Sequence, residues 1–399
     1  MVLGLRRPRK KYAANVRHYG WTLRLRARAV KVRRLALLAM GAVAVLQQAN
    51  LPFQAPLQLA ALSVLYWRYL NGPLAVTNPT FVRVHVSLID YSDAELYLMR
   101  ITSRAHIPLL VHHLQMPPFI VCDNRCRMAS TECYLLWLSF ISNQMRMQDL
   151  QARHGLEYSQ VSRFLKFMWL FMWMRAQPKL AHTNLPFFVA RFQHYQMCIA
   201  AKYTALHGVA MDPRYTQVAM FTDGTQRRMP RNRRTNYSGH KKMYCLGFLA
   251  TVTPDGMLSM VNGPFAGRRN DHGKQNKAQL SQRLVAAQAG NAIVYSTSTD
   301  KGLHWQPCVI PMHNNLWINP AQALSNTRWA AMRVVNENVI GLPPNNFRYI
   351  DNWKSHSCRQ PLGLFYMVAC FQQNLITCLD WNQCSAYFNC PPPTLAQYL

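Results

Sequence analysis

The chain has 399 residues, of which half are apolar and 11% are aromatic. This composition excludes a disordered polymer and suffices for two or three domains, each with its own core. Lysine and arginine number 45 against 15 acids, which gives a formal net charge of +30. Such a one-sided excess repels itself, so it predicts an acidic partner, with nucleic acid ahead of an anionic membrane surface.

The eleven cysteines lack the paired spacing of a zinc motif. Cys122 and Cys126 have no matching pair, and Cys378, Cys384 and Cys390 are evenly spaced without a nearby histidine. We therefore predict reduced thiols of an intracellular protein, many of them buried.

Residues 1–34 carry 12 lysines or arginines and no acid, and an apolar run follows at 35–46. A signal or transit peptide has the same order, but the basic part is long. Twelve apolar residues cannot cross a bilayer, which needs about 20. Residues 1–80 are predicted to be a flexible arm that directs the protein to the nucleus or contacts DNA. An organelle presequence and plain disorder are the alternatives.

Residues 81–180 have a helical pattern, with helices expected at 92–100 and 131–140. From Met147 to Lys166 the chain is typical of a helix, a turn at Gly155 and a second helix capped by Ser159. Four aliphatic residues would face inward: Leu150, Leu156, Val161 and Leu165. Three polar residues would face outward, where the second helix of a helix-turn-helix enters a major groove: Gln160, Arg163 and Lys166. A purely structural helix pair is the alternative.

The apolar run 167–174 is predicted to continue that second helix as a buried segment. A linker at 178–186 and a helix at 188–206 would then connect to the last domain, with 181–215 as the connecting region.

Residues 216–399 are predicted to form a mixed-sheet α/β domain. The first strand would end at Asp223, and strands would follow at 243–252, 257–261, 292–297 and 309–311. Asp255 would be a turn residue between the second and third strands. Helices are expected at 275–289 and at 321–341, where Gly341-Leu-Pro-Pro would end the second one. Three strands, a helix, a fourth strand and a late helix with an acid are typical of an RNase H-like core.

The few acids of this domain stand at suggestive places. Asp223 and Asp300 each close a predicted strand, Asp271 follows a third one, and Glu337 lies on the last predicted helix. Hard cations prefer oxygen ligands, and two ions about 3.5–4 Å apart promote in-line phosphoryl transfer. The pattern therefore predicts a divalent-metal site for Mg²⁺ or Mn²⁺.

The chain from about residue 85 onward resembles the Harbinger/PIF-type DDE transposases and their nuclease-like relatives. The resemblance depends on the order and spacing of short motifs along the last domain: Asp223-Gly-Thr, Tyr237-Ser-Gly-His-Lys, Val252-Thr-Pro-Asp-Gly, Gly263-Pro-Phe-Ala-Gly-Arg-Arg-Asn-Asp271, Asp300-Lys-Gly, Arg333-Val-Val-Asn-Glu337 and Asn374-Leu-Ile-Thr-Cys, with Tyr387-Phe388 and Pro391-Pro-Pro.

This resemblance implies a metal-dependent endonuclease and strand transferase that acts on double-stranded transposon ends. Asp223 would be the first catalytic acid and Glu337 the last. Topology favours Asp300 as the second acid, because the second acid of RNase H-like sheets follows the fourth strand, and leaves Asp271 a supporting metal-site role. Further basic residues would bind phosphates: Arg227, Arg228, Arg231, Arg233, Arg234, Lys241 and Lys242. The family also implies homo-oligomers and a Myb-like DNA-binding partner, in the nucleus and away from membranes.

Three positions depart from the family pattern. Leu303 replaces an aromatic residue, Asn270 a histidine and Asn336 an aliphatic residue. These changes leave open a catalytically inactive, domesticated or decayed derivative that only binds DNA. A membrane-surface protein that uses the basic arm is the second alternative.

Overall fold

The computed structural model describes residues 84–122, 126–143, 145–231, 234–288, 295–298, 308–311, 313, 317–351 and 361–399. At 288, 295–298, 309 and 311 only the backbone is described. The predictions for residues 1–80, Arg233, Asp300 and Leu303 therefore lie outside the described residues. From Val82 onward the chain forms one compact unit.

The N-terminal half of this unit is helical. Its helices are α1 (Asp93–Leu98), α2 (His106–His113), α3 (Ser130–Asn143), α4 (Met147–His154), α5 (Tyr158–Leu180), α6 (Leu185–Val189) and α7 (Phe192–His207). A small hairpin that the sequence did not predict, β1 (Phe119–Val121) and β2 (Arg127–Ala129), precedes α3. Ser92 caps α1, a helix predicted at 92–100, by accepting a hydrogen bond from the Glu95 N–H at 3.2 Å.

Helices α4 and α5 are joined by a turn in which Gly155 has a left-handed conformation, φ 55°. Four aliphatic residues face inward as predicted: Leu150, Leu156, Val161 and Leu165. Helix α5 begins at Tyr158, one residue before the predicted cap Ser159, because Glu157 occupies the cap position and donates its N–H to Gln160 Oε1 at 3.0 Å.

Helix α5 runs through the predicted buried segment and ends only at Leu180. Met168, Trp169, Phe171 and Met172 are buried, so the prediction of a buried continuation is confirmed. The predicted linker from residue 178 is wrong at its start. Pro178 lies in the last turn of α5, where a single missing N–H costs little, and Leu180 beyond it is fully buried.

The C-terminal half is built on a sheet of β3 (Val218–Arg228), β4 (Tyr237–Ser238), β5 (Met243–Val252), β6 (Leu258–Ala266), β7 (Tyr295–Ser298) and β8 (Val309–Pro311). The spatial order is β6-β5-β3-β7-β8, and the short β4 pairs with the start of β5. Strands β3, β5 and β6 are antiparallel neighbours, whereas β7 runs parallel to β3 and β8 parallel to β7.

Strands β5 and β8 have the predicted bounds, but β3 does not end at Asp223. Residues Gly224–Arg228 continue the antiparallel ladder with β5, from Gly224 opposite Leu249 to Arg228 opposite Cys245. The Asp-Gly pair has the chemistry of a turn, yet pairing with a buried neighbouring strand overrides that local preference. Asp223 therefore lies within the central strand and not at its end.

The later helices are α8 (Asp271–Ala278), α9 (Leu280–Gln288), α10 (Pro320–Asn346), α11 (Leu362–Leu379), α12 (Gln383–Phe388) and α13 (Leu395–Tyr398). The single helix predicted at 275–289 is two helices, separated at Gln279, φ 53°. The predicted end of α10 at Gly341 is wrong, because the helix continues through Pro343 and Pro344, which are buried against the core.

Helix α11 packs in the centre of the unit against α5 and β6. Among the described residues it is the helix long and apolar enough to span a membrane, but most of its length is buried inside the protein. Burial of this kind is what the core helix of a globular protein shows.

Candidate functional site

The candidate site is centred on Asp223, in the middle of the sheet. Its strand β3 lies between β5, where Ala250 is opposite Asp223, and β7, whose pair Thr297 lies opposite Phe221. The side chain is partly buried, and one carboxylate oxygen accepts the Gly224 N–H at 2.8 Å. Among the described residues no cation lies within salt-bridge distance of it.

Asp271 approaches the same strand from α8. Asn270 caps this helix by accepting the Gly273 N–H at 3.0 Å, which makes Asp271 its first residue. The Asp271 carboxylate lies directly over Gly224: a Cβ atom there would be 1.8 Å from Asp271 Oδ1. Because only glycine leaves room for this approach, Gly224 is what allows a second acid beside Asp223.

A buried lysine supports Asp271 from within the protein. Lys274 lies one helical turn after Asp271, is 1% exposed, and places its Nζ 2.5 Å from Asp271 Oδ1. Its aliphatic chain crosses Gly247 on β5, where a Cβ atom would lie 2.7 Å from Lys274 Cε. A buried ammonium needs a nearby acceptor, so this ion pair fixes the position of the Asp271 carboxylate.

The third acid, Glu337, comes from α10, which packs against β3 and β5. Arg333 precedes it by one helical turn and forms a salt bridge with Glu337 Oε1. The guanidinium is largely buried at 11% exposure, whereas the Glu337 side chain is 47% exposed. On α10 an accessible carboxylate, that of Glu337, therefore forms an ion pair with a largely buried cation, Arg333.

The charges of all these groups act on Asp223. Burial raises the pKa of the Asp223 carboxyl above its usual value, and the nearby carboxylates of Glu337 and Asp271 raise it further. Arg333 and the Gly224 N–H lower it. Asp223, Asp271 and Glu337 thus form one electrostatically coupled acid cluster, defined by these three residues.

The acid cluster has the donor chemistry of a hard divalent-cation site, although its three carboxylates do not all lie within 4.8 Å of one another in the described structure. Its donors are carboxylate oxygens, the ligands that Mg²⁺ and Mn²⁺ prefer, and its most buried member has no cation partner among the described residues. Lys274 forms an ion pair with Asp271 and Arg333 forms one with Glu337, so an ion bound to the cluster would lie close to two protein cations.

We expect Asp223→Asn to stabilise the folded protein by about 0.5–2 kcal/mol at pH 7.5. The folded-state pKa of Asp223 is raised, so its ionised form costs stability at neutral pH, and the neutral amide removes that cost. The wild type regains stability as the pH falls through the raised pKa, so the difference should shrink in acid. Urea unfolding of both proteins at several pH values measures it.

Asp149→Asn is the matched control for sign. Arg146 lowers the pKa of Asp149, so this variant should be no more stable than the wild type at pH 7.5. Equal stability of Asp223→Asn and wild type at every pH would contradict the raised pKa.

The basic residues expected to bind phosphates do not all share one environment. Five of them are exposed around the β3–β5 connection: Arg228, Arg231, Arg234, Lys241 and Lys242. Arg227 is 12% exposed, donates to Thr225 Oγ1 at 2.5 Å and lies 5.1 Å from the centre of the Tyr366 ring. Arg227 thus has partners within the protein, and its contact with phosphate stays a prediction.

The outward residues predicted for the second helix are also divided. Gln160 and Arg163 lie toward β2, with nitrogens 3.8 and 3.9 Å from Cys126 Sγ. Lys166 is exposed, on a side of α5 that it shares with Tyr158 and Ser162. Gln160 and Arg163 are partly buried and Lys166 is exposed, so contact of these residues with DNA stays a prediction.

Sequence reasoning missed the two cations of the site. Lys274 follows Asp271 by three residues and Arg333 precedes Glu337 by four, which are the spacings of ion pairs on a helix. Both signals were available, but Asp271 was not expected within a helix, since the predicted helix began at residue 275.

The comparisons with known proteins concern the segment that contains this site. Residues 222–374 match the family described as DDE superfamily endonuclease. The match begins on β3, one residue before Asp223, and ends within α11. No curated protein and no solved structure matches the chain. The matched segment is thus similar to DDE superfamily endonucleases, which supports the superfamily, whereas the Harbinger/PIF subtype stays a prediction.

Proposed function

We propose that this protein is a metal-dependent DNA endonuclease of the transposase type, which cuts and joins phosphodiester bonds. The observation that carries the proposal is the acid cluster inside the segment that matches DDE superfamily endonucleases. The strand order β6-β5-β3-β7-β8, with β7 and β8 parallel to β3, supports an RNase H-like domain, in which the central strand carries the first acid.

The residues of the cluster would divide the work. Two divalent ions bound by these acids would activate a water molecule or a DNA 3′-hydroxyl and would stabilise the leaving oxygen. Asp223 would be a ligand from the centre of the sheet, and Glu337 would be the ligand from α10. Lys274 would position the Asp271 carboxylate, and Arg333 would position Glu337.

The second catalytic acid has two candidates. Asp271 lies beside Asp223 in the described structure, with its carboxylate over Gly224. Asp300 lies outside the described residues, two positions after the end of β7, which pairs with β3 next to Asp223. We keep Asp300 as the proposed catalytic acid on topology and assign Asp271 to the metal site.

The test is cleavage of a supercoiled plasmid that carries the ends of the source element. We expect nicked and linear products with Mn²⁺ or Mg²⁺ and none with EDTA, because the acids need a cation to act on a phosphodiester. Cleavage that persists in EDTA would overturn the proposal.

The exposed basic residues of the β3–β5 connection would hold the DNA. Arg228 lies five residues beyond Asp223 on the same strand, a separation of about 17 Å at the usual rise of a strand. A duplex in contact with this surface would therefore reach the acid cluster within a few base pairs. Phosphate contacts of this kind position DNA without reading its sequence.

We expect the double variant Lys241→Ala/Lys242→Ala to bind all duplexes more weakly. Each lost phosphate contact should reduce the slope of log affinity against log salt by about 0.9. Fluorescence anisotropy at several salt concentrations measures this. Lys202→Ala is the control for loss of a single positive charge away from this surface, since Lys202 on α7 lies over the Tyr387 ring of α12. Equal salt slopes for the double variant and the wild type would contradict the assignment.

A catalytically inactive derivative that binds DNA is the second candidate. The observation in its favour is that Glu337 and Asp271 are both engaged by cations of the protein itself. DNA binding without cleavage in any metal, with a competent partner protein supplied, would favour it. Nuclear localisation, oligomerisation and a Myb-like partner remain proposals that follow from the family resemblance.

A further inference from the structure

A second group of metal-ligating side chains lies away from the acid cluster. His194 and Cys198 on α7 and Cys390 near the C-terminus bring one imidazole nitrogen and two sulfurs within 4.8 Å of one another. The His194 Nε2 and Cys198 Sγ atoms are 3.6 Å apart. It is the one such group of three or more among the residues that the structure describes.

The fold builds this group from two separate parts of the chain. His194 and Cys198 are four residues apart on α7, so both project from the same side of the helix. Cys390 follows Asn389, whose left-handed conformation, φ 48°, ends α12. The Cys390 N–H donates to Ser385 O at 2.9 Å. Arg191, one turn before His194, donates to Pro391 O at 2.8 Å and fastens the next residue of the tail.

We propose that His194, Cys198 and Cys390 form a Zn²⁺ site that fastens the C-terminal tail to α7. Thiolate and imidazole are the preferred ligands of this ion, with bonds of about 2.3 Å to sulfur and 2.0–2.1 Å to nitrogen. Two such ligands at a tetrahedral angle are about 3.6 Å apart, which is the separation of His194 Nε2 and Cys198 Sγ. The exposed position of His194 leaves room for water as the fourth ligand.

Zn²⁺ binds cysteine as the thiolate, so binding at this site requires both cysteines to lose their protons. On binding, two S–H bonds break, two Zn–S bonds form, and the two protons pass to solvent. The bound ion and the two thiolates then have no net charge, which lowers the cost of burying them.

The site would stabilise the region behind the acid cluster. Helix α12, which ends beside Cys390, packs against both α7 and α10. On α12, Cys384 contacts Asn336 Oδ1 at 3.7 Å, and Asn336 is the neighbour of Glu337 on α10. A Zn²⁺ ion at the tail would therefore stabilise α12, which packs against α10, the helix that carries Glu337. This role does not depend on DNA cleavage, so its failure leaves the proposed function untouched.

The experiment measures zinc in the reduced full-length protein, purified without chelators, by mass spectrometry of the metals. We expect about one Zn²⁺ per wild-type chain, and near zero in Cys198→Ser and Cys390→Ser. His194→Gln, an exposed position that tolerates substitution, should bind Zn²⁺ at least about tenfold more weakly. Cys122→Ser, which also removes a partly exposed thiol, should retain the ion.

Replacement of zinc by Co²⁺ supplies a readout that does not depend on folding yield. Wild type should show thiolate-to-cobalt charge transfer that is lost in Cys198→Ser and Cys390→Ser and present in Cys122→Ser. No zinc in the wild type, equal zinc in all variants, or a Cys198–Cys390 disulfide in place of the ion would overturn the proposal.

Discussion

Asp223→Asn and Glu337→Gln are expected to nick supercoiled plasmid at least about 10³-fold more slowly than the wild type in Mn²⁺. Each substitution removes a carboxylate oxygen donor while it preserves the size of the side chain. Because Asp223→Asn is expected to be more stable than the wild type, its loss of cleavage cannot come from unfolding. Rates come from gel analysis of nicked product over time.

The same assay separates the two candidates for the second acid. If Asp300 is catalytic, Asp300→Asn should lose activity as Glu337→Gln does, whereas Asp271→Asn should retain part of it. The reverse pattern would assign the role to Asp271. Asp351→Asn is the control, because this exposed acid lies in the matched segment and pairs with Arg227. Full activity of Asp223→Asn would overturn the acid cluster as the catalytic site.

Asp255→Ala is expected to reduce the free energy of unfolding by about 3–5 kcal/mol. The Asp255 carboxylate is fully buried and accepts hydrogen bonds from Tyr195 Oη at 2.5 Å and Thr253 Oγ1 at 2.6 Å. Arg191 Nε lies 3.6 Å away. Removal of the acid leaves a largely buried guanidinium and two hydroxyl groups without their acceptor. Urea unfolding followed by circular dichroism measures the loss.

Asp255→Asn should lose less than Asp255→Ala. Burial raises the pKa of Asp255, so a neutral amide avoids part of the cost of an ionised group while it keeps the acceptor oxygen. Asp93→Ala is the control, since Asp93 is 86% exposed and should change stability by no more than about 0.5 kcal/mol. A loss at Asp255 as small as that at Asp93 would show that the buried network contributes nothing.

The role of Asp255 shows where local patterns are insufficient. Pro254-Asp-Gly256 does form the predicted turn between β5 and β6, with Gly256 at φ 77°. The turn is nevertheless buried, because α7 and the C-terminal tail pack over it and supply Tyr195, Arg191 and Asn382, whose amide donates to Gly256 O at 2.8 Å. Asp255, which the sequence predicts as a turn residue, thus accepts hydrogen bonds in a network that includes Tyr195, 60 residues earlier in the chain.

The departures from the family pattern have local explanations. Asn336, in place of an aliphatic residue, is 2% exposed, and its amide donates to Met332 O and Arg333 O, at 3.4 and 3.3 Å. Asn270, in place of histidine, is the cap of α8. Neither position removes a member of the acid cluster.

By itself the sequence determined the features that depend on local chemistry. The bounds of β5 and β8, the cap of α1 and the Gly155 turn follow from side-chain alternation, capping and backbone freedom. The rarity of acids singled out Asp223, Asp271, Asp300 and Glu337 before any contact was known. The excess of basic residues predicted an acidic partner in the same way.

Only the tertiary structure decided the features that join distant parts of the chain. Pairing with β5 extended β3 beyond Asp223, burial carried α10 through Pro343 and Pro344, and the absence of a side chain at Gly224 admitted Asp271. The group of His194, Cys198 and Cys390 has no sequence signature, since 191 residues separate its last two members. Such contacts depend on packing across the whole unit, which no local window of sequence contains.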